Sequence, residues 1–312
     1  MAAPRWEGLS AYHLANVSAT RYQISLITVC ISSIVDGSSL NDKSMRTFFD
    51  GQKPRLFAHR GVSGEAPENT LVAFQRAVDL GIVYAELDMH ATRDGHVVVC
   101  HDATLERTTN GHGQIRALSL AEVRTFDAGY HFSSDSGHTF PFRATEVRVP
   151  TLLEVLEQFP TLHFTIEIKQ TDPPIEELVI AAVRAIGREQ QVIVASEHDA
   201  VLARVRRHAP EIATNLGYAE VFEFIQRVAA NQLADYHPPG HALQIPPSFQ
   251  GIPLVTSQTV DAAHTFGCEM HAWTIDDPQE MDSLLDVGVD GIMSNFPARL
   301  LEVAGKRKGG NG

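Results

Sequence analysis

Arg55-Leu56-Phe57-Ala58-His59-Arg60-Gly61 is a short apolar run that stops abruptly at polar residues. A stretch with apolar residues at three- and four-residue spacing, 71–80, follows it, and Tyr84-Ala85-Glu86-Leu87-Asp88-Met89 forms the next run. Short apolar runs alternating with amphipathic helices are the pattern of parallel strands joined by crossovers. Outward from this unit the rhythm persists. Candidate strands are 55–58, 84–89, 97–100, 164–168, 192–195, 213–216, 242–244, 269–274 and 291–293. Candidate helices are 71–80, 152–159, 175–186, 201–208, 221–230, 260–266 and 280–287, each with a helical apolar stripe. Ser119 with Glu122 and Thr151 with Glu154 read as capping boxes, in which a hydroxyl and a carboxylate satisfy the orphan amides of a first turn. Roughly eight βα units in about 250 residues predict an α/β fold of the closed (β/α)8 TIM-barrel type rather than a doubly wound sheet. The sequence has no Gly-rich nucleotide loop of a standard type and no internal repeat.

The barrel is expected over 54–304, with 1–53 as an N-terminal extension outside the fold and 305–312 as a flexible, solvated tail. Residues 102–149 break the rhythm with turn formers and polar stretches, so they read as an insertion in an early βα loop, on the rim where a barrel keeps its chemistry. Residues 24–35 are apolar but shorter than the ~18 residues of a membrane span. No A-x-A-like cleavage site follows them, so a cytoplasmic protein is expected, with export through a signal peptide as the alternative. The 312 residues carry 25 Lys and Arg against 38 Asp and Glu, a net charge of -13, and no basic stripe. Nucleic acid is therefore excluded as an expected partner. Cys30, Cys100 and Cys268 lie far apart without C-x-x-C spacing, which supports neither a disulfide framework nor a zinc knuckle.

The chemistry is expected where apolar strands end. His59-Arg60-Gly61 follows the first strand, Glu86 and Asp88 lie two apart on the second, His101-Asp102 follows 97–100, and Glu167 and Lys169 lie two apart at the end of the next. Residues i and i+2 of a strand point to the same side, and polar residues at strand C-terminal ends of a barrel read as catalytic. Three carboxylates on one mouth repel unless a cation sits among them. All-oxygen ligation suits Mg2+ or Ca2+ better than zinc.

His59-Arg60-Gly61, Pro67-Glu68-Asn69-Thr70, Glu86-Leu87-Asp88, Thr92-Arg93-Asp94-Gly95, His101-Asp102, Leu105-Glu106-Arg107-Thr108-Thr109-Asn110-Gly111, Glu167-Ile168-Lys169 and Ala272-Trp273-Thr274 occur in this order. Over about residues 54–303 they resemble the motifs of the glycerophosphodiester phosphodiesterase family. The resemblance implies a (β/α)8 barrel that hydrolyses glycerophosphodiesters to sn-glycerol 3-phosphate and an alcohol with one divalent cation and two histidines. By position it implies Glu86, Asp88 and Glu167 as metal ligands, His59 and His101 as the acid and base pair, and Arg60 and Lys169 as holders of phosphate oxygens. A phosphodiester anion needs positive charge on its nonbridging oxygens, and an Arg fork grips two oxygens at once. Imidazoles titrating near neutrality suit both proton transfers; His101 is assigned the acid and His59 the base.

Trp273 reads either as core or as a ring packing on a glycerol carbon face. Glu68 is expected to partner an Arg or His, and Asn69 and Thr70 to cap the first helix and close the loop near the site. The remaining histidines read as structural or surface residues. The sequence departs from the family pattern in two motifs: Asp276 stands where Asn is frequent, and Ser294-Asn295-Phe296-Pro297 replaces the commoner Thr-Asp-x-Pro. The expected partner is a small-molecule diester. The alternative is a lysophospholipase D, with Tyr130, Phe132, Phe140, Phe142 and the Pro246-Pro247-Ser248-Phe249 loop lining an acyl groove, unless these close the loop on themselves. An acidic surface without a basic amphipathic helix disfavours anionic membranes. A noncatalytic phosphodiester-binding barrel predicts loss of a carboxylate or histidine, and all five are present. A zinc hydrolase with His59 and His101 as ligands is the competing metal reading.

Overall fold

Eight short strands make the wall of the protein, and each is followed by a helix that covers its outer face. The computed structural model describes residues 47–309, which lie within the unit Lys43–Gly312. In chain order the elements are β1 (Arg55–Ala58), α1 (Leu71–Asp79), β2 (Tyr84–Ala91), β3 (Val97–Val99), α2 (Leu120–Val123), α3 (Leu152–Gln158), β4 (His163–Ile168), α4 (Glu176–Ala185), β5 (Val192–Ala195), α5 (Asp199–His208), β6 (Ala213–Thr214), α6 (Tyr218–Ala229), β7 (Ala242–Ile245), β8 (Ser248–Phe249), β9 (Ile252–Pro253), α7 (Ser257–Thr265), β10 (Glu269–Ala272), α8 (Pro278–Val287), β11 (Gly291–Ser294) and α9 (Pro297–Gly309). Parallel pairing runs β6-β5-β4-β2-β1-β11-β10-β7. A single bridge between Asn215 and Ala242 joins the two ends, giving the expected (β/α)8 barrel.

The wall strands are buried on both faces, so they read as nearly continuous apolar runs. Leu87, Met89, Phe164, Ile166 and Ile168 pack with Phe74 of α1, Leu152 and Val155 of α3 and Val179 of α4. The helix starts are chemically marked. The Thr70 hydroxyl accepts from the Ala73 amide at 3.3 Å, both expected capping boxes form, and α8 opens on Asp277 and Pro278 and closes on Gly288 in the left-handed region. At the opposite end from the mouth, buried Arg55 makes a two-pronged contact with Glu269 at 2.7 and 2.8 Å and donates to the Tyr84 hydroxyl at 2.6 Å.

Three expectations are corrected. Residues 97–100 do not form a barrel strand: β3 pairs antiparallel with β2, Met89 opposite Val99 and Ala91 opposite Val97, and stands off the barrel path. A parallel return needs a crossover of a dozen or more residues, whereas only the turn around Thr92-Arg93-Asp94-Gly95 separates the two strands. The insertion therefore begins with this arm and carries its own apolar cluster, including Val98, Leu105, Ile115, Val123, Val147 and Val149.

The boundary at 54 falls too late. Phe48 is buried against Phe57 and Tyr84, with ring centroids 6.1 and 5.3 Å away, and its amide donates to the Gln190 carbonyl at 2.7 Å. The boundary at 304 falls too early, since α9 runs to Gly309 and Arg307 contacts Asp282 and Asp286 of α8 at 2.6 and 2.7 Å. The apolar stretch 24–35 lies outside the described residues. Among the described residues no helix is long and apolar enough to cross a membrane.

Phe48→Ala is expected to lower unfolding free energy by about 3 kcal/mol in urea titrations, because a large ring leaves a cavity under the barrel. Phe249→Ala, at an exposed side chain, is expected to change it by no more than about 0.5 kcal/mol.

Candidate active site

Pairing of β2 with β4 sets Asp88 opposite Glu167 and Glu86 opposite Thr165. One carboxylate oxygen each from Glu86, Asp88 and Glu167 then lies within 4.8 Å of the others. Neither histidine is part of this cluster, although His59 Nε2 lies 3.8 Å from Glu86 Oε2. Glu86 and Asp88 are 3% and 1% exposed. Glu86 Oε2 accepts from the Arg60 amide at 3.0 Å, and Asp88 Oδ2 accepts from Asn69 Nδ2 at 2.9 Å. Glu86 Oε1 and Asp88 Oδ1 are buried without a hydrogen-bond donor. Two orphaned carboxylate oxygens beside a third carboxylate fit a hard divalent cation. Burial, then the Asp88 and Glu167 charges, pushes Glu86 well above the usual carboxylate range. Burial likewise raises Glu167, with the Asp88 charge adding to it and Lys169 opposing it.

Cations ring the carboxylates. Lys169 donates to Glu167 Oε1 at 2.7 Å and lies 3.5 Å from Asp88 Oδ1. Burial alone would lower Lys169, but the Glu167 and Asp88 charges outweigh it and hold the ammonium above its ordinary value. Arg60 donates from Nη1 to Glu68 Oε1 at 3.1 Å, while its Nε sits 3.1 Å from Asp88 Oδ2 at ion-pair distance without hydrogen-bond alignment.

Arg60 and Asn69 both have left-handed backbone, φ 55° and 58°, a conformation that costs roughly 1–3 kcal/mol for such residues and persists where the surroundings impose it. Here it turns the Arg60 amide onto Glu86 and the Asn69 side chain onto Asp88. Gly61, at φ 78°, admits no side chain: a Cβ would sit 2.6 Å from Cβ of Ala73. Thr70 is the cap of α1, so Asn69 serves the site rather than the helix.

The two imidazoles are held differently. His59, directly after β1, has Nδ1 2.8 Å from Asn295 Oδ1, and its Nε2 lies 3.5 Å from Thr274 Oγ1 and 3.8 Å from Glu86 Oε2. Burial, then the Arg60 charge, lowers His59 below the ordinary imidazole range. His101 follows the arm strand β3 rather than a wall strand. Its carbonyl is 3.1 Å from Nε2 of His90, and its Nδ1 is 2.7 Å from Asp102 Oδ1. Partial burial would raise Asp102, but hydrogen bonds from Arg107 and His101 outweigh it and bring the carboxyl down to about 2.

Arg107 joins this pair to Glu68, with Nε 2.6 Å from Asp102 Oδ2 and two 2.7 Å contacts to the Glu68 carboxylate. Glu68 thus partners both Arg60 and Arg107. The roles of Arg107, Asp102, Thr274, Asp276 and Asn295 were not assigned from the sequence. The five-residue step from Asp102 to Arg107 is the sole local signal, since Thr274 and Asn295 meet His59, and Asp276 meets Asn295, from the far end of the chain. Trp273, at the end of β10, is 41% exposed and so is not a core residue.

Clustered carboxylates, flanking cations and His59 at the strand ends of a parallel barrel, with His101 on the adjoining arm, are the arrangement of a TIM-barrel hydrolase. Residues 59–299 match the glycerophosphoryl diester phosphodiesterase family, and the chain belongs to it. A glycerophosphodiester phosphodiesterase of Caldanaerobacter subterraneus subsp. tengcongensis is 35% identical, covering 83% of this chain and all of that protein. One from Bacillus subtilis is 30% identical, covering 77% of this chain and 83% of that protein. The solved structure of an Oleispira antarctica phosphodiesterase in complex with the product sn-glycerol-3-phosphate has a TM-score of 0.64 and 28% identity, covering 81% of this chain and 97% of that one.

Glu86→Gln removes one charge from the crowded cluster while keeping an oxygen for the Arg60 amide. In EDTA its melting temperature is expected to equal or exceed the parent by about 2–4 °C, the equivalent of roughly 1 kcal/mol. Differential scanning calorimetry should also show the stabilisation by added Mg2+ or Ca2+ lost in this variant.

Proposed function

We propose that the protein hydrolyses glycerophosphodiesters to sn-glycerol 3-phosphate and an alcohol, with Glu86, Asp88 and Glu167 holding one divalent cation, Mg2+ or Ca2+. The observation that carries the reading is the pair of orphaned carboxylate oxygens on Glu86 and Asp88, with His59 Nε2 3.8 Å from the Glu86 carboxylate and the Nδ1 atoms of His59 and His101 already engaged. The product complex of the Oleispira antarctica relative supports the same substrate class. When bound, the cation supplies positive charge for the nonbridging phosphate oxygens.

Arg60 and Lys169 add to that charge and orient the phosphate, and Trp273 offers a ring face to the glycerol carbons. His59 accepts the proton of the attacking hydroxyl, from water or from the glycerol 2-hydroxyl. Burial and the neighbouring Arg60 guanidinium favour the uncharged imidazole and outweigh the Asn295 hydrogen bond, which opposes them. His101 donates to the departing alkoxide, its ring held at Nδ1 by the Asp102 carboxylate.

A lysophospholipase D is the second reading, and one observation favours it. Phe249 and Ile252 pair across the β8–β9 ribbon, the Tyr218 ring at the start of α6 lies 6.3 Å from Phe249, and all three side chains are exposed in the segments that follow β6 and β7. The aromatics of the insertion point the other way. Phe132 packs on Phe142 at 5.3 Å, and Arg143 lies 4.1 and 3.8 Å over the rings of Tyr130 and Phe140, so the loop closes on itself.

Purified protein is expected to release glycerol 3-phosphate from glycerophosphocholine and glycerophosphoethanolamine, to stop in EDTA and to recover with Mg2+ or Ca2+. His59→Ala and His101→Ala should each lose about 100- to 10,000-fold in kcat; full activity in either sinks the assignment. Choline release from lysophosphatidylcholine, without turnover of the small diesters, would select the second reading. Phe249→Ser with Ile252→Ser should then lower kcat/KM for the lysolipid about tenfold.

A further inference from the structure

The Asp276 carboxylate, in the loop between β10 and α8, accepts from Ser294 Oγ at 2.9 Å and the Asn295 amide at 2.8 Å on Oδ1, and from Asn295 Nδ2 at 2.7 Å on Oδ2. A carboxylate only accepts, so the nitrogen end of the Asn295 side chain must face it. The oxygen end then faces away, where it lies 2.8 Å from His59 Nδ1 and accepts from Ser63 Oγ at 2.7 Å. An amide oxygen cannot donate, so His59 Nδ1 must carry the hydrogen. The remaining nitrogen, Nε2, is the one beside Thr274 and Glu86 at the mouth.

We propose that Asp276 and Asn295 are positioning residues for His59: Asp276 fixes the sense of the Asn295 amide, and that amide holds His59 with its hydrogen on Nδ1 and its Nε2 lone pair toward the substrate. The proposal rests on the reading of His59 as the base. It assigns the loop after β10 and the end of β11 a function that neither residue type has alone, because Asn295 without Asp276 is free to turn its amide over and present donors to a donor.

Two readouts test it. In 15N-histidine-labelled protein with Ca2+ present, long-range 1H–15N correlation spectra identify the tautomer of His59, assigned by its loss in His59→Gln. The parent should show the Nδ1–H pattern, and Asn295→Ala the Nε2–H pattern or a mixture. With glycerophosphocholine, Asn295→Ala and Asp276→Asn should lose roughly 10- to 100-fold in kcat while KM stays within about threefold, the range typical when a hydrogen-bond partner that orients a metal-site ligand is removed. The double variant Asp276→Asn with Asn295→Asp keeps a hydrogen bond between the two positions and an acceptor on His59, so it should recover to within about threefold of the parent kcat.

An Nε2–H parent overturns the proposal, as does Asn295→Ala with parental kcat when His59→Ala is inactive. Failure of the folded double variant to recover also overturns it. If His59→Ala itself retains parental activity, the base assignment fails and carries the proposal down with it. The tautomer spectra distinguish that outcome from failure of the positioning role.

Discussion

Crowding of negative charge at the mouth is the constraint around which the site is built. The in-register pairing of β2 with β4 places Asp88 beside Glu167, and the two-residue period of a strand brings Glu86 to the same face. Carboxylates this close cannot all stay ionised without compensation. The compensation comes from every neighbouring segment: the Arg60 amide and guanidinium from the β1 loop, Asn69 from the turn before α1, and Lys169 from the end of β4. The left-handed backbone at Arg60 and Asn69 is the local cost of that arrangement, and the Asn69 amide donating to the Arg60 carbonyl at 2.9 Å ties both turns into one unit.

The two imidazoles stand in opposite electrostatic settings. His59 is inside the wall, bonded to an amide and close to a guanidinium. His101 is a third exposed and bonded to a carboxylate that Arg107 holds in place. Glu68 links the two settings, since Arg60 and Arg107 share its oxygens. Removing any of these groups would therefore disturb more than one partner, as expected of a buried polar network.

Much of this was legible in the sequence because it is written in local patterns. A strand end followed by a polar pair locates His59, and i, i+2 spacing locates both carboxylate pairs. Hydroxyls followed three residues later by Glu locate the starts of α2 and α3. What was not legible depends on distance. A run such as Val97-Val98-Val99 looks the same whether it returns parallel or antiparallel; only the shortness of the preceding turn distinguishes the cases. Phe48 could not be recognised as core because its partners, Phe57 and Tyr84, belong to the first two strands. The basic end of α9 resembles a frayed tail until Arg307 is seen against Asp282 and Asp286. Asn295 and His59 meet only because β11 lies beside β1 in the closed wall.

The arm formed by β3 and the following insertion has a consequence of a different kind. Wall strands cannot lengthen or shift register without reopening the barrel, so His59 and the carboxylates have little freedom to diverge. His101 hangs instead on an outgrowth with its own apolar cluster, joined to the wall through β2, and surface segments of this sort absorb insertions and deletions readily. The part of the site that carries His101 can thereby change in size and composition without disturbing the wall that carries His59 and the carboxylates.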